Sequence, residues 1–220
     1  MANPCIFEDL GAIGYEEALA VQEKYFKELS GCNTLPHRLL FCEHPHVFTL
    51  GRFGSAENLL VPATLLHDQH IKFHKTGRGG DITFHGPGQI VTYYIFNLGR
   101  LQLGIRQFVD RIEESIIQTV KEFGIISGRL PGATGVWLDA DSTKPRKICA
   151  IGVKASRNIT MHGSALNVKT DLKYFTYINP CGFTDKQVTS IEKEMQPSPS
   201  IEEVKRVLKA KTFEAFGMER

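Results

Sequence analysis

A cysteine set between proline and glycine, a lysine at the head of an apolar run, and an arginine and histidine spaced through glycine-rich turns are the reactive side chains of this 220-residue sequence. They fall in three stretches: TGRGGDITFHGPGQ (76–89), PRKICAIGVK (145–154) followed by MHGSALN (161–167), and INPCG (178–182). Pro180 and Gly182 present Cys181 on a turn, and a turn cysteine is a nucleophile when its surroundings favour the thiolate. Lys147 stands just before ICAIGV, and an amine partly desolvated at the mouth of a buried strand becomes a usable base. In the first stretch the glycines let the backbone approach a ligand and aim N–H groups at it, while Arg78 can hold an anion or fix a neighbouring loop. Each also has an ordinary counterpart. Cys181 reads as a small side chain in a turn, Lys147 as an exposed loop end beside Lys144 and Arg146, and 76–89 as two tight turns joining three strands.

Other chemistries fit less well. The remaining cysteines are Cys5, Cys32, Cys42 and Cys149, with no CxxC, so neither a disulfide framework nor a zinc ribbon is expected. Cys42 and Cys149 read as packed in strands, and Cys5 and Cys32 as flexible or turn residues. His67, His70 and His74 have metal-like spacing, with His44 and His46 upstream, but VPATLLHDQHIKFH (61–74) passes from helix to strand within the cluster. That change splays the rings, and no metal is expected. The glycine pattern is neither GxGxxG nor a Walker motif, and no GxSxG elbow occurs. His85 and His162 read equally as orienting groups and as satisfied structural histidines.

These residues need elements to position them. Ala18, Leu19, Gln22, Phe26 and Leu29 follow helical spacing, and Ile105 to Phe123 form the strongest apolar stripe, with Gly124 as a stop. A third helix follows Pro199, with Ser200 as its cap. RLLFCEH (38–44), Phe48–Leu50, IKFH, DITFH, QIVTYYIFNL, GVWL, KICAIGVK and ITMHGSALNV read as strands, and DADSTKP (139–145) as an exposed loop. Consecutive strands with short turns favour antiparallel or mixed pairing with helices packed on the sheet. Strict βαβ alternation is missing, which argues against a doubly wound nucleotide fold.

Composition bounds the rest. With 42% hydrophobic residues the chain can bury a real core, as one large domain or at most two small ones. A net charge of +2 is far from a nucleic-acid binder. No apolar run is long enough to span a membrane, and the first residues do not read as a signal peptide. A reducing compartment, the cytoplasm, fits the cysteine usage.

RGGDITFHGPGQ, KICAIGV, HGSALN and NPCG, in that order, resemble the lipoyl(octanoyl) transferase family over about residues 36–190, a family related to biotin and lipoate protein ligases. The resemblance implies a single α/β (α+β) catalytic domain over 1–220, with a central mixed, largely antiparallel sheet flanked by helices. It implies transfer of an octanoyl group from octanoyl-acyl carrier protein to a lysine of lipoyl domains, those of 2-oxoacid dehydrogenase complexes and glycine cleavage H protein. Cys181 would carry the acyl thioester with Lys147 as its partner, and no cofactor would be needed. The acyl site would be lined by Arg78, Gly79, Gly80, Asp81, Ile82, Thr83, Phe84 and His85, by Ala150, Ile151 and Gly152, and by Gly163, Ser164 and Ala165. Phe84, Ile151 and Ala165 are expected as tunnel walls, and a monomer is expected. The loop before Lys147 is longer than the family usually shows. An ATP-dependent ligase would not need Cys181, and a thioesterase would release free acid.

Overall fold

The computed structural model describes residues 3–179 and 187–219. Its large sheet runs in the order β1 (Cys5–Ala12), β2 (His37–Glu43), β6 (Gln89–Ile95), β10 (Ile159–Asn167), β9 (Arg146–Ser156), β8 (Ala133–Leu138), β7 (Gly128–Leu130). A short strand, β11 (Gln187–Val188), also joins β9. Within this sheet, among the described residues, only the β1–β2 and β11–β9 pairings are parallel, so it is mixed and largely antiparallel, as expected. A smaller sheet carries β4 (Lys72–Lys75), β3 (Val47–Leu50) and β5 (Ile82–His85). The three strands read on either side of TGRGG and GPG therefore divide: two enter the small sheet, and β6 enters the large one.

Helices cover both faces of the large sheet, and two one-turn helices, α3 (Leu98–Leu101) and α5 (Ile191–Glu194), lie in the connections. On one, α4 (Ile105–Glu122) and α6 (Ile201–Phe216) pack Phe108, Ile112, Ile116, Leu208 and Phe216 onto Tyr94, Phe96 and Leu166. The 105–123 stripe supplies the buried side of α4, and Gly124, at φ +75°, ends it in the left-handed backbone region that favours glycine. Ser200 caps α6 reciprocally with Glu203: the Glu203 N–H donates to Ser200 Oγ at 3.2 Å, and the Ser200 N–H donates to Glu203 Oε2 at 2.8 Å. On the other face α1 (Tyr15–Gly31) buries Ala18, Gln22 and Leu29, with Leu40, Tyr93, Ile95 and Ala165 beneath.

One expectation fails. Cys5, read as lying in a flexible or turn region, is buried in β1, where burial pushes its thiol up to about 12. Parallel pairing with β2 makes this segment a strand, and its own pattern of half-exposed residues does not announce it. The helix-to-strand change read within the histidine cluster is present: α2 (Ala63–Asp68) ends before β4. His67 then lies out in solvent while His74 stacks on Tyr15, ring centroids 5.3 Å apart.

Ile112 sits fully buried at the α4 seam. Ile112→Ala is expected to cost about 2–5 kcal/mol. Urea unfolding should show a lower midpoint with an unchanged slope.

Candidate active site

Small side chains on the central strands leave space above the sheet. Ala150 and Gly152 on β9 pair with Ala165 and Gly163 on β10. Over this floor lies a cavity of about 360 Å³, closed by the 78–83 stretch and His85, by Tyr15 at the start of α1, and by Lys147 and Trp137. The volume is at the low end of the roughly 300–1,000 Å³ of small-molecule sites. Gly152 must stay glycine for the roof to seat: a Cβ there would lie 2.8 Å from Gly79 O and 3.2 Å from Arg78 Nη1. The Gly79 N–H donates to Val153 O at 2.9 Å, fastening the roof to β9.

Fourteen of the residues named from the sequence line this cavity: Arg78, Gly80, Asp81, Ile82, Thr83, His85, Lys147, Ala150, Ile151, Gly152, His162, Gly163, Ser164 and Ala165. Gly79 is spent on its bond to Val153. Phe84 does not line the cavity and is not a tunnel wall. It points into the small sheet's own core, 5.4 Å from Phe48 and 4.7 Å from Tyr174 between ring centroids. Cys181 lies outside the described residues. Tyr15, Gln89, Tyr93, Trp137, Asn167 and Val188 also line the cavity and were not singled out from the sequence. Only Gln89 and Asn167 carried a signal, as members of the glycine-rich and HGSALN stretches.

A buried chain of hydrogen bonds joins the two sheets beside the cavity. Arg78 turns back into its own subdomain, donating from Nη2 to Thr49 O at 2.6 Å and from Nη1 to Gly79 O at 3.0 Å. Its Nε and Nη2 also donate to Thr49 Oγ1, at 3.3 and 3.0 Å. Thr49 Oγ1 meets His85 Nε2 at 3.2 Å, and His85 Nδ1 meets Gln89 Oε1 at 2.8 Å. Gln89 Nε2 donates to Asn167 Oδ1 at 2.9 Å, and Asn167 Nδ2 donates to Thr189 O at 3.0 Å. Because the Gln89 amide nitrogen is committed as donor, its oxygen must accept, so His85 carries its proton on Nδ1. Nε2 then accepts from the Thr49 hydroxyl. Burial, with His44 and Arg78 nearby, pushes His85 down to about 3, so the ring is neutral. Burial likewise pushes His162 down to about 4.

Lys147 is placed by β8. The β8–β9 register slips between Val136 and Trp137, and the Lys147 ammonium lies 4.5 Å from the Trp137 ring centroid. That is within cation–π range. Gly135, at φ +130°, leaves room for the lysine stem: a Cβ there would be 3.4 Å from Lys147 Cε and 2.7 Å from Cys149 O. Buried Glu113 of α4 fixes this bend. Its Oε1 accepts from the Gly135 N–H at 2.9 Å, and its Oε2 accepts from Arg129 Nε at 3.0 Å. On the other side β11 takes over where β10 ends: Leu166 pairs with Cys149, while Val188 pairs with Lys147. The Thr189 N–H donates to Lys147 O at 2.9 Å. The result is a half-buried amine, held on three sides, facing an apolar cavity. Among the described residues no group of three or more His, Cys, Asp or Glu could hold a metal, and no helix is long and apolar enough to cross a membrane.

Comparison with known proteins agrees with this geometry. Residues 14–213 match the family described as Lipoyl protein ligase A/B catalytic domain, and the chain belongs to that family. It is 47% identical over 207 residues to an octanoyltransferase of Bacteroides fragilis, covering 92% of this chain and 94% of that protein. It is 46% identical over 216 residues to an octanoyltransferase of Parabacteroides distasonis, covering 96% and 98%. Among solved structures, a bipartite lipoate protein ligase of Thermoplasma acidophilum superposes with TM-score 0.74 at 16% identity, over 100% of this chain and 85% of that one. The biotin protein ligase of Aquifex aeolicus, in complex with biotin and ATP, gives 0.57 at 12%, over 97% and 70%. The fold is that of lipoate and biotin ligases.

His85, His162 and likewise His37, held down to about 4, must take up protons on unfolding below about pH 6.5. Between that pH and their folded values the unfolded chain binds more protons, so their contribution is full above pH 6.5 and lost as pH falls. Each is expected to remove up to about 1.4 kcal/mol of stability per pH unit there, measured as urea midpoints from pH 7 to 4.5.

Proposed function

We propose that the chain transfers an octanoyl group from octanoyl-acyl carrier protein to a lysine of lipoyl domains, through a thioester on Cys181. The acceptors in this reading are the lipoyl domains of 2-oxoacid dehydrogenase complexes and glycine cleavage H protein, and the enzyme acts as a cytoplasmic monomer, a single catalytic domain over 1–220. The observation that carries the reading is Lys147 at the edge of an apolar, small-floored cavity, on the strand that pairs with the chain just after the PCG motif. Whole-length likeness to octanoyltransferases supports it. Gln187, six positions after Cys181 in the sequence (187 − 181), is paired with Arg146, the neighbour of Lys147.

Lys147 takes the thiol proton or, as an ammonium, stabilises the thiolate. The Cys181 sulfur attacks the carrier thioester; its S–C bond forms as the carrier's breaks, and the carrier leaves as a thiol with that proton. The acceptor lysine then attacks the Cys181 thioester, an amide forms, Cys181 departs as thiolate, and the proton lost by the amine returns to it through Lys147. One thioester replaces another and then gives an amide, so no ATP is consumed. His85, neutral and bonded at both nitrogens, orients the roof of the site and takes no part in proton transfer. Each methylene buried above Ala150 and Ala165 contributes about 0.8 kcal/mol, which lets a closed cavity select chain length.

Intact-protein mass spectrometry after brief incubation with octanoyl-acyl carrier protein is expected to show one hydroxylamine-sensitive octanoyl adduct on wild type and none on Cys181→Ala. Lys147→Met should slow adduct formation by about 10²–10⁴-fold. Transfer that persists in Cys181→Ala, or that requires ATP, would instead make the chain a ligase. Release of free octanoate without a lipoyl domain would make it a thioesterase.

A further inference from the structure

Beside the cavity roof the chain exposes an aromatic ring on a stiff support. Phe53 is 79% exposed. Its backbone nevertheless lies fastened to the loop that lines the cavity. Gly51 N donates to Asp81 O at 3.1 Å, Arg52 N to Arg78 O at 2.9 Å and Phe53 N to Gly80 O at 3.3 Å. The glycines on either side cannot carry side chains here: a Cβ on Gly51 would lie 2.3 Å from Gly80 O, and one on Gly54 would lie 2.4 Å from Asp81 Oδ1. The Arg52 guanidinium sits 5.9 Å from the Phe53 ring centroid. Lys75 precedes the same roof loop, and the Lys154 side chain lies 3.5–3.7 Å from where a Cβ on Gly77 would be. Arg52, Lys75 and Lys154 are all exposed, and among the described residues none of them pairs with a carboxylate.

An isolated exposed aromatic is unremarkable in itself. Here the backbone under the ring is fixed, Arg52 lies beside it, and Lys75 and Lys154 flank the loop that roofs the cavity that would take the acyl chain. Rigid aromatics next to arginine are the side chains that anchor interfaces, and ordering them beforehand lowers the entropic cost of docking. Unpaired rim cations steer an acidic partner and give it orientation. We infer that Arg52, Phe53, Lys75 and Lys154 form the docking surface for an acidic carrier domain that delivers the acyl thioester into the cavity on a flexible arm. This assignment rests on the acyl transfer proposed above and adds to it where the donor protein sits.

The test compares two donors of the same acyl group: octanoyl-acyl carrier protein, and octanoyl-pantetheine, which has the arm without the domain. Acylation of Cys181 is followed by quenched intact-mass measurements for wild type, Phe53→Ala and the double variant Arg52→Glu/Lys154→Glu. With the carrier, Phe53→Ala is expected to lower the second-order acylation rate about tenfold, and the charge reversal to flatten its dependence on salt. With octanoyl-pantetheine all three proteins should agree within about twofold, which also shows that the variants are folded. An equal loss with both donors would overturn the assignment, since the residues would then serve the fold or the chemistry. So would unchanged carrier acylation with slowed transfer to a lipoyl domain, which would give the surface to the acceptor. If wild type takes no acyl group from either donor, the acyl-transfer reading itself falls and the docking surface falls with it.

Discussion

A buried run of hydrogen bonds joins the two sheets of this molecule, and the groups at its ends fix the assignments between them. Arg78 has only donors to give; the Thr49 and Thr189 carbonyls can only accept. Between these limits the hydroxyl of Thr49, the ring of His85 and the amides of Gln89 and Asn167 each have one consistent assignment of proton and lone pair. In a low-dielectric interior such a run is stabilising only when every member is satisfied, and a single missing partner leaves a buried polar group exposed to the full desolvation penalty. The roof over the cavity is therefore held at a fixed height above the large sheet. The far end of the run reaches Thr189, whose N–H holds the backbone of Lys147. Roof and amine share one frame.

The cavity exists because the sheet below that frame is thin where it faces the roof. Ala150, Gly152, Gly163 and Ala165 occupy adjoining rungs of β9 and β10, and larger residues close the sides. A packed core would fill such a gap at once, because a void forfeits contacts on every side. Here the backbone bonds of the roof loop and the rigid α1 face keep the walls apart, so the space persists. Glu113 shows the same economy on the other wall: a buried carboxylate shared between a backbone N–H and Arg129 keeps the β8 bend open enough for a lysine to lie across it.

Much of this is legible in the sequence. The helix from Ile105 shows because its apolar period is long and uninterrupted, and the mixed sheet follows from short turns between strands. Most of the cavity lining falls within the glycine-rich, KICAIGV and HGSALN stretches, which family resemblance marks more clearly than physics does. Phe84 was misplaced by treating 78–85 as one lining segment. A strand alternates its faces, and with Thr83 and His85 toward the cavity, the Phe84 ring turns to Phe48 and Tyr174. Strand β1 was missed because its identity comes from pairing with β2, about thirty residues away, as non-local pairing does. Tyr15, Tyr93 and Trp137 were missed for a related reason: an aromatic residue at a helix start or within a strand reads as core until the tertiary fold shows what it faces.

The hairpin between β8 and β9 has one more consequence. Arg146 pairs with Leu138 across its base and forms an ion pair with Asp139, while residues 141–144 stand out in solvent. Lengthening a loop whose stem is already closed costs little, about 0.6 kcal/mol for each doubling. The chain thus has a built-in port for foreign sequence a few residues from its reactive lysine. A tag or reporter spliced there would ride outside the sheet, and the rungs that hold Lys147 would not register its presence.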